Sequence, residues 1–332
     1  MAEYGASGVG ASGAHGRGVS ALPVQVDLVE VGLRDGLQNQ PVTLTTAQKL
    51  DLLDGLVRAG VREIQLTSFV HPERVPQLAD AEALCVAALG DARHEGVSFS
   101  GLALNLRGVQ RAAAAGLRRV DLSLSASDAH SRRNAGMSLA EAERQLLTTV
   151  AAAHDLGLSV RGGVQCAFGC GADRADQRYE DEVVRLAARI AEAGVRELAL
   201  ADSAGLADPA AVERLLLRVR AACGELPIVL HLHDTRGLGL ANLYAALRLG
   251  VTRFDTSFGG LGGCPFIPGA TGNVASEDVV NLLGAMGVAT GVDLGGLCLV
   301  SETAADLLGA DLPSAIFALW RRQPTGEEVV RV

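Results

Sequence analysis

Short β-branched runs alternate with longer segments rich in Ala, Leu and Arg along most of this chain. Alternation of strands and helices predicts parallel strand pairing, with the helices covering the sheet. Eight strand-like runs within about 240 residues match the usual size of a closed (β/α)8 TIM barrel, which is the predicted fold. The runs are residues 24–31, 62–68, 97–104, 118–125, 159–166, 196–202, 227–234 and 253–260.

A repeated junction supports this strand count. It recurs before the second, fourth, sixth and eighth strands, as AGVREIQL (59–66), AGLRRVDL (115–122), AGVRELAL (193–200) and LGVTRFDT (249–256). Each glycine falls where a helix end needs a left-handed residue before the chain turns into a strand. A period of two strands fits a barrel, whereas the alternative, a doubly wound open sheet, would not require it.

The composition of the chain predicts three regions. Residues 1–23 are rich in Gly, Ala and Ser and are predicted to be a disordered tail. Residues 24–290 would form the barrel, and residues 291–332 a C-terminal helical extension.

A net charge of −9 argues against nucleic acid and anionic membranes as partners. No apolar run reaches the roughly 18–20 residues needed to span a bilayer. Six scattered cysteines fit reduced thiols in a cytoplasmic protein.

The single lysine excludes one class of chemistry. Lys49 lies in an amphipathic segment that is predicted to be an outer barrel helix, away from the active face. Schiff-base formation requires a lysine inside the site. Lysine-based aldolase and pyridoxal-phosphate mechanisms are therefore not expected.

Two histidines give the strongest indication of a site. Alternate residues on a strand share a face, so His231 and His233 can both point into the barrel mouth. Asp35 ends the first strand, which adjoins the eighth in a closed barrel, and Asn273 follows the eighth strand. Two imidazoles, a carboxylate and an amide oxygen suit Mg²⁺ or Mn²⁺, with Co²⁺ and Zn²⁺ as alternatives.

Neighbouring residues extend this candidate site. Arg34, beside Asp35, is either a solvated surface partner or a fixed guanidinium that stabilises oxyanion charge. The loop 259–273 contains six glycines and carries Cys264, so it is either a mobile connector or a lid that closes over the site. Cys166 and Cys170 have no histidine near them in the sequence and are interpreted as wall residues rather than zinc ligands.

The order of motifs resembles the 3-hydroxy-3-methylglutaryl-CoA lyases. The matching runs, in order and spacing over about residues 24–295, are VEVGLRDGLQNQ, TSFVHPERVPQLAD, HLHDTRGLGLANLYAALRLGV and GGLGGCPFIPGATGNVASEDVV. RDGLQ, TSFV and GGLGGCP point to the lyase branch rather than the related homocitrate and isopropylmalate synthases. The resemblance implies the barrel fold, a homodimer and acyl-CoA substrates.

The resemblance also implies roles for individual residues. Metal ligands would be Asp35, His231, His233 and Asn273. Arg34 would stabilise the enolate of the departing acetyl-CoA, His231 would take part in proton transfer, and Cys264 would belong to a mobile active-site loop. We also assign catalytic roles to Asp35 and Gln65. Substrate binding is assigned to Arg34, Gln38, Ser125, Arg132, Arg133 and Asn134.

Two positions depart from the family pattern. Gln65 stands where the family has a catalytic glutamate, and an amide cannot take a proton at neutral pH. The loop SDAHSRRNAGMS differs from the usual pattern of the lyases. Its Arg132 and Arg133 still suit the phosphates of an acyl-CoA.

The sequence leaves three functions open. The first is cleavage of 3-hydroxy-3-methylglutaryl-CoA, or a related 3-hydroxyacyl-CoA, to acetyl-CoA and a keto acid. The second is an acetyl-CoA-dependent synthase acting on a 2-oxo acid. The third is a barrel that has lost catalysis and serves as a binding subunit, for which Gln65 is the support.

Overall fold

A computed structural model describes residues 22–171, 173–263 and 272–322. Eight parallel strands close into a barrel in sequence order, and the first strand pairs with both the second and the eighth. The predicted (β/α)8 barrel is therefore confirmed, and the open-sheet alternative is wrong. The strands are β1 Asp27–Glu30, β2 Glu63–Ser68, β3 Ser98–Ala103, β4 Arg119–Ser125, β5 Ser159–Gln165, β6 Glu197–Asp202, β7 Ile228–Leu232 and β8 Arg253–Thr256.

Helices surround the barrel, as the alternation of strands and helices predicts. The helix Leu139–Asp155 begins with a capping box, in which the hydroxyl of Ser138 accepts from the backbone N–H of Glu141 while the Glu141 carboxylate accepts from the backbone N–H of Ser138. The helices are α1 Thr46–Arg58, α2 Ala81–Gly90, α3 Leu106–Ala114, α4 Asp128–Ala135, α5 Leu139–Asp155, α6 Gln177–Glu192, α7 Pro209–Cys223, α8 Gly239–Arg248, α9 Ser276–Ala285, α10 Leu294–Leu308 and α11 Ala315–Arg322.

The repeated glycines adopt the predicted left-handed backbone. Gly60, Gly116, Gly194 and Gly250 have φ between 81° and 94°. At Gly60 a Cβ atom would also lie 2.4 Å from the carbonyl oxygen of Gly291. Only glycine therefore fits this helix-to-strand junction without strain.

The same repeats close the N-terminal end of the barrel. The fifth residue of each repeat is charged, and these residues alternate in sign around the ring: Glu63, Arg119, Glu197 and Arg253. Each arginine contacts both glutamates at distances between 2.7 and 3.0 Å. Four side chains from alternate strands form one layer of a barrel interior. This layer is ionic, and the cavity opens at the opposite end.

Outside the barrel, α10 packs against α1 and α9, and α11 packs against α9 and α10. Both helices lie within the range assigned to the C-terminal extension, whose limits stay a prediction. Lys49 is buried on α1, and its Nζ donates to the carbonyl oxygen of Gln77 at 2.6 Å. It does not line the central cavity, in agreement with the exclusion of Schiff-base chemistry. Within the residues that the structure covers, no helix is long and apolar enough to cross a membrane.

Candidate active site

The four predicted metal ligands meet at the C-terminal end of the barrel. Asp35 lies in a buried π-helical turn, Gly32–Gly36, that follows β1. His231 Nε2 lies 3.1 Å from His233 Nε2, and the two nitrogens lie 3.9 and 3.8 Å from Asp35 Oδ2. Asn273 Nδ2 donates to Asp35 Oδ2 at 2.9 Å.

These donor atoms fit a divalent cation. One ligand atom from each of Asp35, His231 and His233 lies within 4.8 Å of the other two. Two nitrogens bound at right angles, each about 2.1 Å from one ion, would be about 3 Å apart. The buried Oδ1 of Asn273 beside them has no hydrogen-bond partner among the described residues. Leaving such an atom unpaired costs about 1–3 kcal/mol, and a cation would satisfy it.

The charges around Asp35 keep its carboxyl group ionised. Burial by itself would raise its pKa, but the Arg34 guanidinium, a hydrogen bond from His233 and the charge of His231 together lower the pKa well below the usual range. Arg34 forms a buried ion pair with Asp35. A carboxylate that stays ionised at any physiological pH suits a cation ligand.

A chain of buried polar side chains crosses the barrel interior from Arg34 to His231. Arg34 Nε donates to Gln65 Oε1, and Gln65 Nε2 donates to Asp121 Oδ2. Arg161 on β5 then links β4 to β8. Its Nε lies 3.1 Å from Asp121 Oδ1, and its Nη1 donates to Asp255 Oδ1 at 2.6 Å. In order of contact, the chain is Arg34, Gln65, Asp121, Arg161, Asp255 and His231.

Asp255 orients one of the imidazoles. His231 Nδ1 lies 3.1 Å from Asp255 Oδ2. Burial would raise the pKa of Asp255, but Arg161 and His231 lower it to about 2. An ionised carboxylate accepts from Nδ1–H, which leaves the Nε2 lone pair of His231 directed at His233 and Asp35.

The sequence analysis missed Asp121, Arg161 and Asp255. A signal was present, because each is a charged residue in the middle of a predicted strand. Gln65, Asp121 and Asp255 also occupy the same seventh position of the repeated junctions. Repeat positions of alternate barrel strands share one interior layer. Polar residues at that position therefore mark a second polar layer above the ionic one.

A cavity of about 1110 Å³ lies above this layer. Its volume is slightly above the range of about 300–1,000 Å³ that is usual for small-molecule sites. Nine of the predicted site residues line it, and arginines not singled out from the sequence, Arg74, Arg107 and Arg111, add positive charge to its wall. The nine are Arg34, Asp35, Gln38, Gln65, Ser125, Arg133, Asn134, His231 and His233.

Arg132 and Asn273 do not line the cavity, and Gln38, which does, also contacts a candidate ligand. Arg132 is exposed on α4, where it pairs with Asp128 at 2.7 Å, and it does not line the cavity. Gln38 Nε2 donates to Asp35 Oδ1 at 3.0 Å, so it contacts a candidate metal ligand directly. Cys264 lies outside the described residues, and its role in a mobile loop stays a prediction.

The cysteine pair has a neighbour that sequence separation concealed. His130, on α4, lies with Cys166 and Cys170 in a buried group whose ligand atoms are within 4.8 Å of one another. Neither cysteine lines the cavity, so the interpretation as wall residues is inaccurate. The histidine is 36 positions before Cys166, and the pairing of β4 with β5 brings the two residues near each other.

The family model described as HMGL-like matches residues 25–304, which is most of the chain. This chain belongs to the HMGL-like family. The family resemblance noted from the motifs is thereby confirmed. HMGL-like relatives named as lyases support the prediction of a carbon–carbon lyase over the condensing-synthase alternative.

Two HMGL-like relatives and one solved structure illustrate the similarity. The chain is 40% identical to hydroxymethylglutaryl-CoA lyase YngG of Bacillus subtilis, covering 88% of this chain and 96% of that protein. It is 38% identical to an (R)-citramalyl-CoA lyase of Chloroflexus aurantiacus, covering 88% and 93%. An HMG-CoA lyase of A. baumannii, solved with coenzyme A and 3-methylmalate, has a TM-score of 0.82 and 37% identity, covering 88% and 94%.

Proposed function

We propose that this protein is a divalent-metal-dependent lyase that cleaves 3-hydroxy-3-methylglutaryl-CoA, or a closely related 3-hydroxyacyl-CoA, to acetyl-CoA and a keto acid. The observation that carries the proposal is the convergence of Asp35, His231 and His233 beside Arg34 on the floor of a large cavity, with Asn273 hydrogen-bonded to Asp35. The similarity to lyases named for acyl-CoA substrates supports the choice of substrate class.

The cavity residues fit an acyl-CoA. Arg133 and Asn134 lie on its wall, and Arg74, Arg107 and Arg111 bring further guanidinium groups to it. Guanidinium groups bind phosphate oxygens through paired N–H donors. We assign the phosphates of the coenzyme to these arginines and the acyl group to the polar floor.

Asp35, His231, His233 and Asn273 would hold Mg²⁺ or Mn²⁺. A bound cation lowers the pKa of an alcohol that it coordinates and orients the substrate oxygens. The cleavage begins when the 3-hydroxyl proton leaves. The bond between C2 and C3 then breaks, and C3 becomes a ketone carbonyl. The electron pair of the broken bond passes to C2 and forms a thioester enolate. Protonation of the enolate at C2 gives acetyl-CoA.

Two residues of this chain are assigned to these steps. His231 is the proton carrier through Nε2, because Asp255 holds its Nδ1–H. While Nε2 carries the proton it is not a cation ligand, and Asp35, His233 and Asn273 would hold the ion. Arg34 holds the enolate charge, and it is positioned by contacts with Asp35 and Gln65 on either side. A fixed donor of this kind contributes roughly 3–4 kcal/mol to transition-state stabilisation. Gln65 positions Arg34 and takes no proton.

An assay with purified protein tests the proposal. The protein is incubated with Mg²⁺ or Mn²⁺ and a panel of 3-hydroxyacyl-CoAs, and acetyl-CoA release is followed. We expect release that stops when EDTA removes the metal and returns when metal is added. Asp35→Asn should abolish activity, whereas the exposed control Asp51→Asn should not change it.

Other outcomes would contradict the proposal. Free thiol formed from acetyl-CoA and a 2-oxo acid would indicate the synthase. Tight metal binding without any turnover would indicate the binding subunit. The homodimer and the cytoplasmic location inferred from the sequence stay predictions.

A further inference from the structure

A second cluster of metal-binding side chains lies apart from the Asp35–His231–His233 group. His130 comes from α4, Cys166 follows β5, and Cys170 lies in a short hairpin. All three side chains are buried, with exposed fractions of 4%, 0% and 3%. Their ligand atoms lie within 4.8 Å of one another. We propose that they form a second metal site, specific for a thiophilic ion such as Zn²⁺. The proposal is independent of the proposed function.

The backbone around Cys166 is held in an uncommon conformation. Cys166 has φ of 56°, and within the described part of the chain no other residue except glycine has a positive φ. Its backbone N–H donates to Ser203 Oγ at 3.1 Å, and its carbonyl oxygen accepts from the Tyr179 hydroxyl at 2.7 Å. Such strain persists where the surroundings over-determine it, and it is common at functional sites. Here it directs the Cys166 thiol towards Cys170.

The other two ligands are also fixed relative to each other. Ser127 caps α4, because its hydroxyl accepts from the backbone N–H of His130 at 3.0 Å. The same hydroxyl donates to the carboxylate of Asp173, which pairs with Cys170 across the hairpin. The first turn of α4 and the hairpin are therefore tied together before any ion binds. Preorganisation of this kind lowers the cost of assembling a metal site.

The donor set selects the ion. Two thiolates and one imidazole suit Zn²⁺, whereas carboxylate and amide oxygens suit Mg²⁺ and Mn²⁺. Two thiolates also neutralise a dication, so the buried site would carry no net charge. Three protein ligands leave one coordination position open, as in many zinc sites that bind water or a ligand. The hydroxyls of Ser125 and Ser203 adjoin the Cys166 thiol and line the cavity.

Cobalt spectroscopy tests the site on the wild-type protein. Metal-free, reduced protein is titrated with Co²⁺ and then with Zn²⁺. We expect ultraviolet thiolate-to-cobalt charge transfer and visible tetrahedral bands that saturate at one equivalent and disappear when Zn²⁺ displaces Co²⁺. Among the described residues, the Asp35–His231–His233 group has no thiolate. Cys264→Ser should keep the band, which checks the loop that is predicted to cover that group. Absence of this band in wild type would overturn the proposal without any variant.

Variants and thiol mapping assign the band. Cys170→Ser should abolish it, and His130→Ala should weaken it or shift it, whereas the buried, distant Cys298→Ser should leave it unchanged. Peptide mapping of wild type after alkylation should show that Zn²⁺ protects Cys166 and Cys170 but not Cys223. A band that persists in Cys170→Ser, or a disulfide between the two cysteines in the reduced protein, would refute the site. Circular dichroism checks that each variant is folded.

Discussion

The contacts of Gln65 with Arg34 and Asp121 explain why an amide suits this position. Gln65 accepts from Arg34 through Oε1 and donates to Asp121 through Nε2. A neutral amide can do both at once, whereas an ionised glutamate can only accept. The departure from the family pattern at this position therefore fits the carboxylate that lies next to it. The sequence alone could not supply this reason, because Asp121 is 56 residues away.

The Gln65→Glu variant tests this complementarity. It would place a second carboxylate against Asp121, and two adjacent carboxylates share a proton or repel each other. We expect the free energy of unfolding at pH 8 to fall by about 1–3 kcal/mol, measured by urea denaturation. The loss should shrink towards pH 5, because a carboxyl with a raised pKa contributes most when it is protonated.

A second substitution provides the control for this experiment. In the double variant Gln65→Glu, Asp121→Asn, the asparagine can donate to the new carboxylate and still accept from Arg161, so the stability at pH 8 should recover. If Gln65→Glu alone is as stable as wild type at both pH values, the pairing with Asp121 does not determine residue 65. If the single variant instead gains strong cleavage of HMG-CoA, the natural substrate is a different acyl-CoA.

At the scale of elements, the turn Gly32–Gly36 determines where Arg34 and Asp35 point. All five residues of this turn are buried. A Cβ atom at Gly32 would lie 2.4 Å from Phe258 Cε1 and 2.7 Å from Glu30 Oε1. The turn therefore passes too close to the segment after β8 for any larger residue. The motif RDG was recognisable in the sequence, but this close approach was not.

We expect Gly32→Ala to destabilise the protein by about 1–3 kcal/mol, because the methyl group must displace Phe258. It should also lower activity more than stability alone explains, since the turn carries Arg34 and Asp35. Urea denaturation and the acetyl-CoA release assay measure the two effects. Gly90→Ala, at the end of α2 with nothing within 4 Å, is the control and should be neutral or slightly stabilising. If Gly32→Ala and Gly90→Ala had the same stability and activity, the close contact at Gly32 would not constrain the turn.

At the scale of the whole molecule, the barrel was predictable because its strands and helices are patterned locally. The glycine repeats marked every second strand, and the eight strand ranges led to the correct topology. His231, His233 and Asp35 could be assigned because strand ends converge in a barrel. The pairing of Arg161 with Asp121 and Asp255, and of His130 with the cysteines, depends on side-chain directions across the interior. Sequence spacing does not encode those directions.

Closure of the barrel also buries a carboxyl group that should make stability depend on pH. Glu30 ends β1 and accepts from the backbone N–H groups of Gly32 and Phe258 and from the Ser276 hydroxyl, which links β1 to the segment after β8 and to α9. Burial raises its pKa to about 8. A group with a raised folded-state pKa contributes stability below its unfolded pKa, near 4.5, and that contribution is lost as the pH rises towards 8.

We therefore expect Glu30→Gln to be more stable than wild type at pH 8 and similar to it at pH 5. The difference should be on the order of a few kcal/mol, since one pKa unit corresponds to about 1.4 kcal/mol. Thermal unfolding from pH 5 to 9 measures it, and the exposed Glu213→Gln is the control. Parallel pH profiles for wild type and Glu30→Gln would show that Glu30 is ionised in the folded protein.

The hydrogen bond between Asp35 and Asn273 joins residues 238 positions apart. During synthesis, a ribosome-bound chain holds its first candidate ligand long before the last one has been translated. No truncated chain ending before Asn273 can complete the set, and a misfolded barrel cannot either. Retention of the cation would therefore act as a check on the finished product, and loss of metal would distinguish incompletely assembled molecules from mature ones.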